Sequence, residues 1–68
     1  MRYYNNYTKV RLTTDQYQDK AVSHGAIGYI IEVYEKGNYE VEFSDRETGI
    51  TIAQIVVNYT EIETIDGK

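Results

Sequence analysis

Residues 25–49 constrain the fold of this chain more than any other stretch. A run rich in β-branched and aromatic residues, 27–34, meets Lys36-Gly37-Asn38, and the alternating run 39–43 follows at once. Side chains that branch at Cβ or carry rings suit a pleated strand, and a Gly-Asn pair supplies the left-handed backbone of a short hairpin loop. A β-hairpin is therefore expected here. In a chain of 68 residues it fixes much of the architecture.

A single domain is expected from that length. So short a chain buries only about 60% of the surface its unfolded form exposes, so its stability is marginal. The sequence has no cysteine and one histidine, His24. Disulfides and thiolate metal sites are thus excluded, and a lone imidazole does not hold a structural zinc. The apolar core, or a partner, must supply the stability. Eleven acidic residues against seven basic ones give a formal charge of −4. That balance repels phosphate backbones at long range and suits a basic protein surface better. The first residues lack the apolar stretch of a secretory signal, and the longest apolar run is too short to span a bilayer, so a soluble cytoplasmic protein is expected.

Around the hairpin the strand pattern continues, and no window carries helical periodicity. Residues 8–13 alternate, with Val10 and Leu12 facing inward and Lys9 and Arg11 outward. A polar stretch, 14–24, then makes a long first connection, pinned by Tyr17, Ala21 or Val22. Gly25 and Gly28 allow a positive φ or a bend where the second strand begins. In that strand Ile27, Tyr29, Ile31 and Val33 share one face, and Ile30 lies on the other with Glu32 and Tyr34. In the third, Tyr39, Val41 and Phe43 point inward. The fourth, 50–57, changes the parity of its apolar face near Ala53-Gln54, the mark of a β-bulge. As an uncharged strand it is expected to be paired on both sides. A single 3-10 turn at Asn58-Tyr59-Thr60 and a short last strand, 61–65, with Ile62 inward complete the pattern. The organisation expected is a partly ordered N-terminal segment (1–7), an all-β, five-stranded SH3-like barrel (8–65) and a frayed end (66–68), with fraying also through residue 6.

Several segments together carry a family resemblance: Val10-Arg11-Leu12, residues 24–34, residues 39–45 and Gly49-Ile50-Thr51-Ile52-Ala53. Their most telling part is G-x-x-G-x-(I/V)-x-x-V-Y followed by Y-x-V-E-F-x-D. Over residues 8–63 the chain resembles a bacterial domain-of-unknown-function family of short SH3-like barrels. That resemblance implies the fold, transfers no activity, and weakly implies an antitoxin- or immunity-like role, a small protein that restrains a neighbour. The Tyr/Asn-rich start and Asn58-Tyr59, where a proline-containing turn is common, depart from the family pattern. The glycine-flanked apolar core is also similar, more broadly, to the KOW motif. That likeness implies nucleic-acid binding through loops, with Lys9, Arg11, Lys20 and Arg46 as the cations available.

No catalytic set emerges. Ser23 and His24 are adjacent, and successive side chains of an extended loop diverge. Glu40 and Glu42 share a strand face, with Glu32 expected across from one of them, and like charges at that spacing can raise a carboxyl pKa. The plainer reading is a solvated acidic face. No cofactor and no metal ion are expected. The eight tyrosines are more unusual. Tyr39 and Tyr59, and with them Tyr29, are assigned to the core; Tyr3, Tyr4, Tyr7, Tyr17 and Tyr34 do not all fit inside so small a barrel. Tyrosine offers large contact area at low entropic cost, which makes it a frequent interface anchor. The expected partner site is therefore Tyr17 and Tyr34 with Glu32, Glu40 and Glu42, engaging a protein with a basic or mixed surface. A structural subunit stabilised by its own oligomer is the further alternative.

Overall fold

The computed structural model describes residues 4–45 and 47–65. Five strands follow one another: β1 (Lys9–Leu12), β2 (Ile27–Val33), β3 (Asn38–Ser44), β4 (Thr51–Asn58) and β5 (Ile62–Thr64). Single 3-10 turns lie at Gln18–Lys20, Glu35–Gly37 and Tyr59–Glu61. Every pairing is antiparallel, and one sheet runs in the order β4-β3-β2-β1-β5. The all-β, five-stranded arrangement with a long first connection and a 3-10 turn before the last strand is the one expected. Among the described residues no ladder joins β4 to β5; the turn at Tyr59–Glu61 links the two ends of the sheet.

The core lies on one face of this curled sheet. Val10 and Leu12 of β1, Ile30 of β2, Tyr39, Val41 and Phe43 of β3, Val57 of β4 and Ile62 of β5 are all buried, joined by Val22 from the first connection. Period-two alternation explains most of that set, since every second side chain of a strand meets the same face. The long first connection packs by Val22, which is buried, and Tyr17, which is half-buried against the core.

In β2, where both faces are partly apolar, the structure sets which one is inward. The odd-numbered face, with four apolar residues, is the solvent side at Tyr29, and the even-numbered face carries Gly28 and Ile30 into the core. Gly28 permits this arrangement by its size, not by a special φ. A Cβ there would lie 2.7 Å from Val41 Cγ1, 2.7 Å from the Glu42 carbonyl oxygen and 2.9 Å from Phe43 Cδ1. The register then slips between Ile30 and Glu32, so that Val33 faces the buried Tyr39. The bulge thus moves the face of β2 that meets the inward residues of β3 from even to odd numbers, although Val33, at the strand's end, is itself 37% exposed.

β4 also carries a bulge, one residue earlier than expected. Phe43 pairs with Ala53 and Ser44 with Thr51, leaving Ile52 as the extra residue. From there Ala53, Ile55 and Val57 face the core and Gln54 and Val56 face solvent. The expectation that β4 is paired on both sides is not met: it lies at the end of the sheet order and, among the described residues, pairs with β3 alone.

The hairpin loop between β2 and β3 has two left-handed residues, Lys36 (φ 64°, ψ 30°) and Gly37 (φ 76°). This is the twist that suits a tight antiparallel hairpin. Gly37 has a second role, because a Cβ at that position would lie 2.6 Å from Cδ1 of Tyr59. At the start of the chain, Tyr4 is tied down where fraying was expected. Its ring lies 5.5 Å from that of Tyr39, and its N–H donates to the Tyr39 hydroxyl at 3.1 Å. The Tyr7 N–H donates to the Ile30 carbonyl. Residues 1–3 and 66–68 of the expected terminal segments lie outside the described residues.

Candidate functional site

The solvent face of β2, β3 and β4 is the mirror of the core. The pairings that bury Ile30 against Val41 place Tyr29 beside Glu42, Glu32 opposite Glu40, and Glu42 and Glu40 beside Gln54 and Val56 of β4. Carboxylates directly opposite one another repel, so neighbours that fix their orientation matter. The Tyr34 hydroxyl donates to one oxygen of Glu40, and the Gln54 amide donates to the other at 3.3 Å. The Thr51 hydroxyl donates to Glu42 Oε2 at 2.7 Å. Hydrogen bonding to the Glu40 carboxylate, with smaller contributions from desolvation and the charges of Glu40 and Glu32, raises the Tyr34 pKa above the usual phenol value. Tyr34 therefore stays a neutral donor at physiological pH.

Among the described residues no cation forms an ion pair with these carboxylates, although Lys9 borders the face. The one ion pair among the described residues is Arg11–Glu63, at 2.9 Å, on the solvent side of β1 and β5. Lys9 stands across from Tyr29 and, with Ile27, Ile65 and the Ser44, Asp45 and Gly49 turn, lines a shallow groove of about 520 Å³. Asp45 shapes that turn. Its carboxylate accepts the N–H of Glu47 at 2.8 Å and of Thr48 at 3.1 Å, and these bonds lower its pKa. Its charge is thus spent on the backbone, as in an Asx turn.

Four of the five expected partner-site residues share this face or its edge: Glu32, Glu40, Glu42 and Tyr34. Tyr17 does not join them. It packs against the core, on the opposite side of the sheet, and its hydroxyl donates to Glu61 Oε1 at 2.8 Å. The same Glu61 oxygen accepts the Asn58 N–H at 2.9 Å, while the Asn58 side chain accepts the Thr60 N–H, closing a capping box around the 3-10 turn. Partial burial, then the hydrogen bond to Glu61 and its charge, push the Tyr17 pKa up to about 12. Tyr17 thus latches the first connection onto the last turn.

Tyr29 moves the other way. Assigned to the core from the sequence, it is 43% exposed and stands between Lys9 and Glu42. The signal that locates it is register: once Gly28 is placed over Val41 and Phe43, Tyr29 has only the solvent side. Tyr39 is fully buried and Tyr59 half-buried against the core, as expected. Gln54 and Thr51, which hold the two carboxylates, carry no sequence signal of that role. His24 and Ser23 are both exposed in the turn before β2. No group of three or more histidine and carboxylate side chains among the described residues converges on a metal-sized site. Among the described residues no helix is long and apolar enough to cross a membrane. Tyr3 and Arg46 lie outside the described residues.

No curated protein and no solved structure matches this chain. A family model does: it spans residues 7–64, nearly the range over which the sequence resemblance was drawn, and the chain belongs to the family described as domain of unknown function (DUF4926).

Proposed function

We propose that this protein is a small, acidic, non-enzymatic module of the cytoplasm that binds another protein through the solvent face of β2 and β3. The observation that carries this reading is the arrangement of Glu32, Glu40 and Glu42. Two of these carboxylates are held in place by Tyr34, Gln54 and Thr51, and no cation among the described residues forms an ion pair with any of the three. Fixed, uncompensated carboxylates flanked by exposed Tyr29 and Tyr34 suit a partner that presents lysine or arginine over an aromatic-tolerant surface. A partner of that kind restrained by this module is the antitoxin- or immunity-like role that the family resemblance suggests. Capture from native lysate at low salt with the wild-type chain and with the Glu32→Gln/Glu40→Gln/Glu42→Gln variant tests it. A partner retained by wild type, released as salt rises and lost by the variant is expected. Equal capture by both, or none at any salt, overturns the reading.

Nucleic-acid binding draws less support. Arg11 is engaged by Glu63, Lys9 borders the acidic face, and the net charge opposes approach of a phosphate backbone.

A further inference from the structure

The edge of β4 raises a separate question. Natural sheets protect their edges with lysine, proline, very short strands or a covering loop, because unpaired backbone groups recruit further strands. β4 is eight residues long and contains no charged residue and no proline. Indeed the sequence is uncharged throughout residues 48–60. Among the described residues its only ladder is with β3. Val56 is 51% exposed on its solvent face, and among the described residues the bulge at Ile52, at the far end of the strand, is the one edge device.

We infer that β4 pairs antiparallel with β4 of a second copy, joining two five-stranded sheets through residues 53–57. An antiparallel twofold centred on Ile55 leaves the bulge outside the contact. It sets Ile55 against its own copy and Ala53 against Val57 on the core side, and Gln54 against Val56 on the solvent side. No like charges meet in that register. The acidic row of each copy lies on β3, one strand back from the contact. Three strand spacings, about 14 Å, then separate the two rows, beyond the Debye length of about 8 Å at physiological salt. A second copy therefore fits this uncharged edge with no like-charge repulsion across the contact. The pairing is short, so the dimer is weak and populated only at high protein concentration.

Sedimentation equilibrium from micromolar to millimolar chain, at low and high salt, tests the inference together with two edge variants. Gln54→Lys keeps a donor beside Glu40, and Val56→Lys alters an exposed position, so both leave the core intact. The expected result is a weight-average mass that rises from one chain (7.9 kDa) toward two. Association should strengthen with salt and weaken at least tenfold in either variant. A chain that stays monomeric at millimolar concentration overturns the inference and leaves the edge to a strand of another protein. A dimer that both variants leave unchanged overturns it as well. The salt response separates this contact from the acidic-face reading, because binding at the carboxylates weakens with salt while pairing at β4 does not.

Discussion

β3 and β4 run side by side through seven registered pairs, and they solve different problems. β3 has a neighbour on each side, and its residues alternate without a break: Tyr39, Val41 and Phe43 are fully buried, while Glu40, Glu42 and Ser44 lie on the other face. β4 has one neighbour, one buried residue, Val57, and a bulge. An interior strand is held by both ladders and by its inward side chains, so its pattern is strict. An edge strand is held by one ladder, and its apolar side chains need not all face the core. Hydrophobicity thus records burial faithfully in β3, whereas in β4 it records burial and an unfilled edge together.

The sharpest test of this contrast is a pair of truncations. Phe43→Ala in β3 is expected to cost about 3–5 kcal/mol, most of the stability of so small a domain, whereas Val56→Ala in β4 stays within about 0.5 kcal/mol. Urea unfolding of both variants checks it, and comparable losses would erase the distinction between the strands. Next in size is Gly28→Ala, where the new methyl meets Val41, Phe43 and the Glu42 backbone; a loss of about 1–3 kcal/mol is expected, with β3 resonances shifting more than β4 resonances by NMR.

Tyr17→Phe removes the latch to Glu61, a partly solvent-exposed hydrogen bond, and is expected to cost about 1 kcal/mol at neutral pH. The folded pKa is raised, so this contribution is complete below the unfolded phenol value of about 10 and is lost as pH rises toward about 12. The gap between wild type and Tyr17→Phe in thermal melts should therefore close across that alkaline window. Smallest is Glu32→Lys, which turns a like-charge pair with Glu40 into an attractive one. A gain of about 0.5 kcal/mol at low salt, fading as salt is added, is expected in the same melts.

Much of this was legible in the residues. Val10, Leu12, Val41, Phe43 and Ile62 sit where alternation put them, and Gly37 turns the hairpin where Lys36-Gly37-Asn38 announced a turn. The acidic face was legible too, because Glu40 and Glu42 are two apart and Glu32 does lie opposite Glu40. What escaped was parity in β2 and the open edge of β4. Both faces of β2 are partly apolar, so alternation alone left its inward face open, and Tyr29 was assigned to the core. The structure turns Gly28 and Ile30 inward, with Val41 and Phe43 packed close over Gly28, and a bulge then resets the register. Tyr17 was read both as a pin of the first connection, which it is, and as part of the partner site, from which it is separated; its partner, Glu61, lies 44 residues away. Such a contact follows from topology and leaves no local trace.

Residue-resolved amide hydrogen exchange, on a dilute sample in which self-association is negligible, tests the two-strand contrast most directly. The β3 amides of Tyr39, Val41 and Phe43 should be among the slowest in the molecule. Alternate amides of β4, those directed away from β3, should exchange on the order of a hundredfold faster. Uniform protection along β4, equal to that of β3, would mean that the edge is already covered within one chain and would contradict the account.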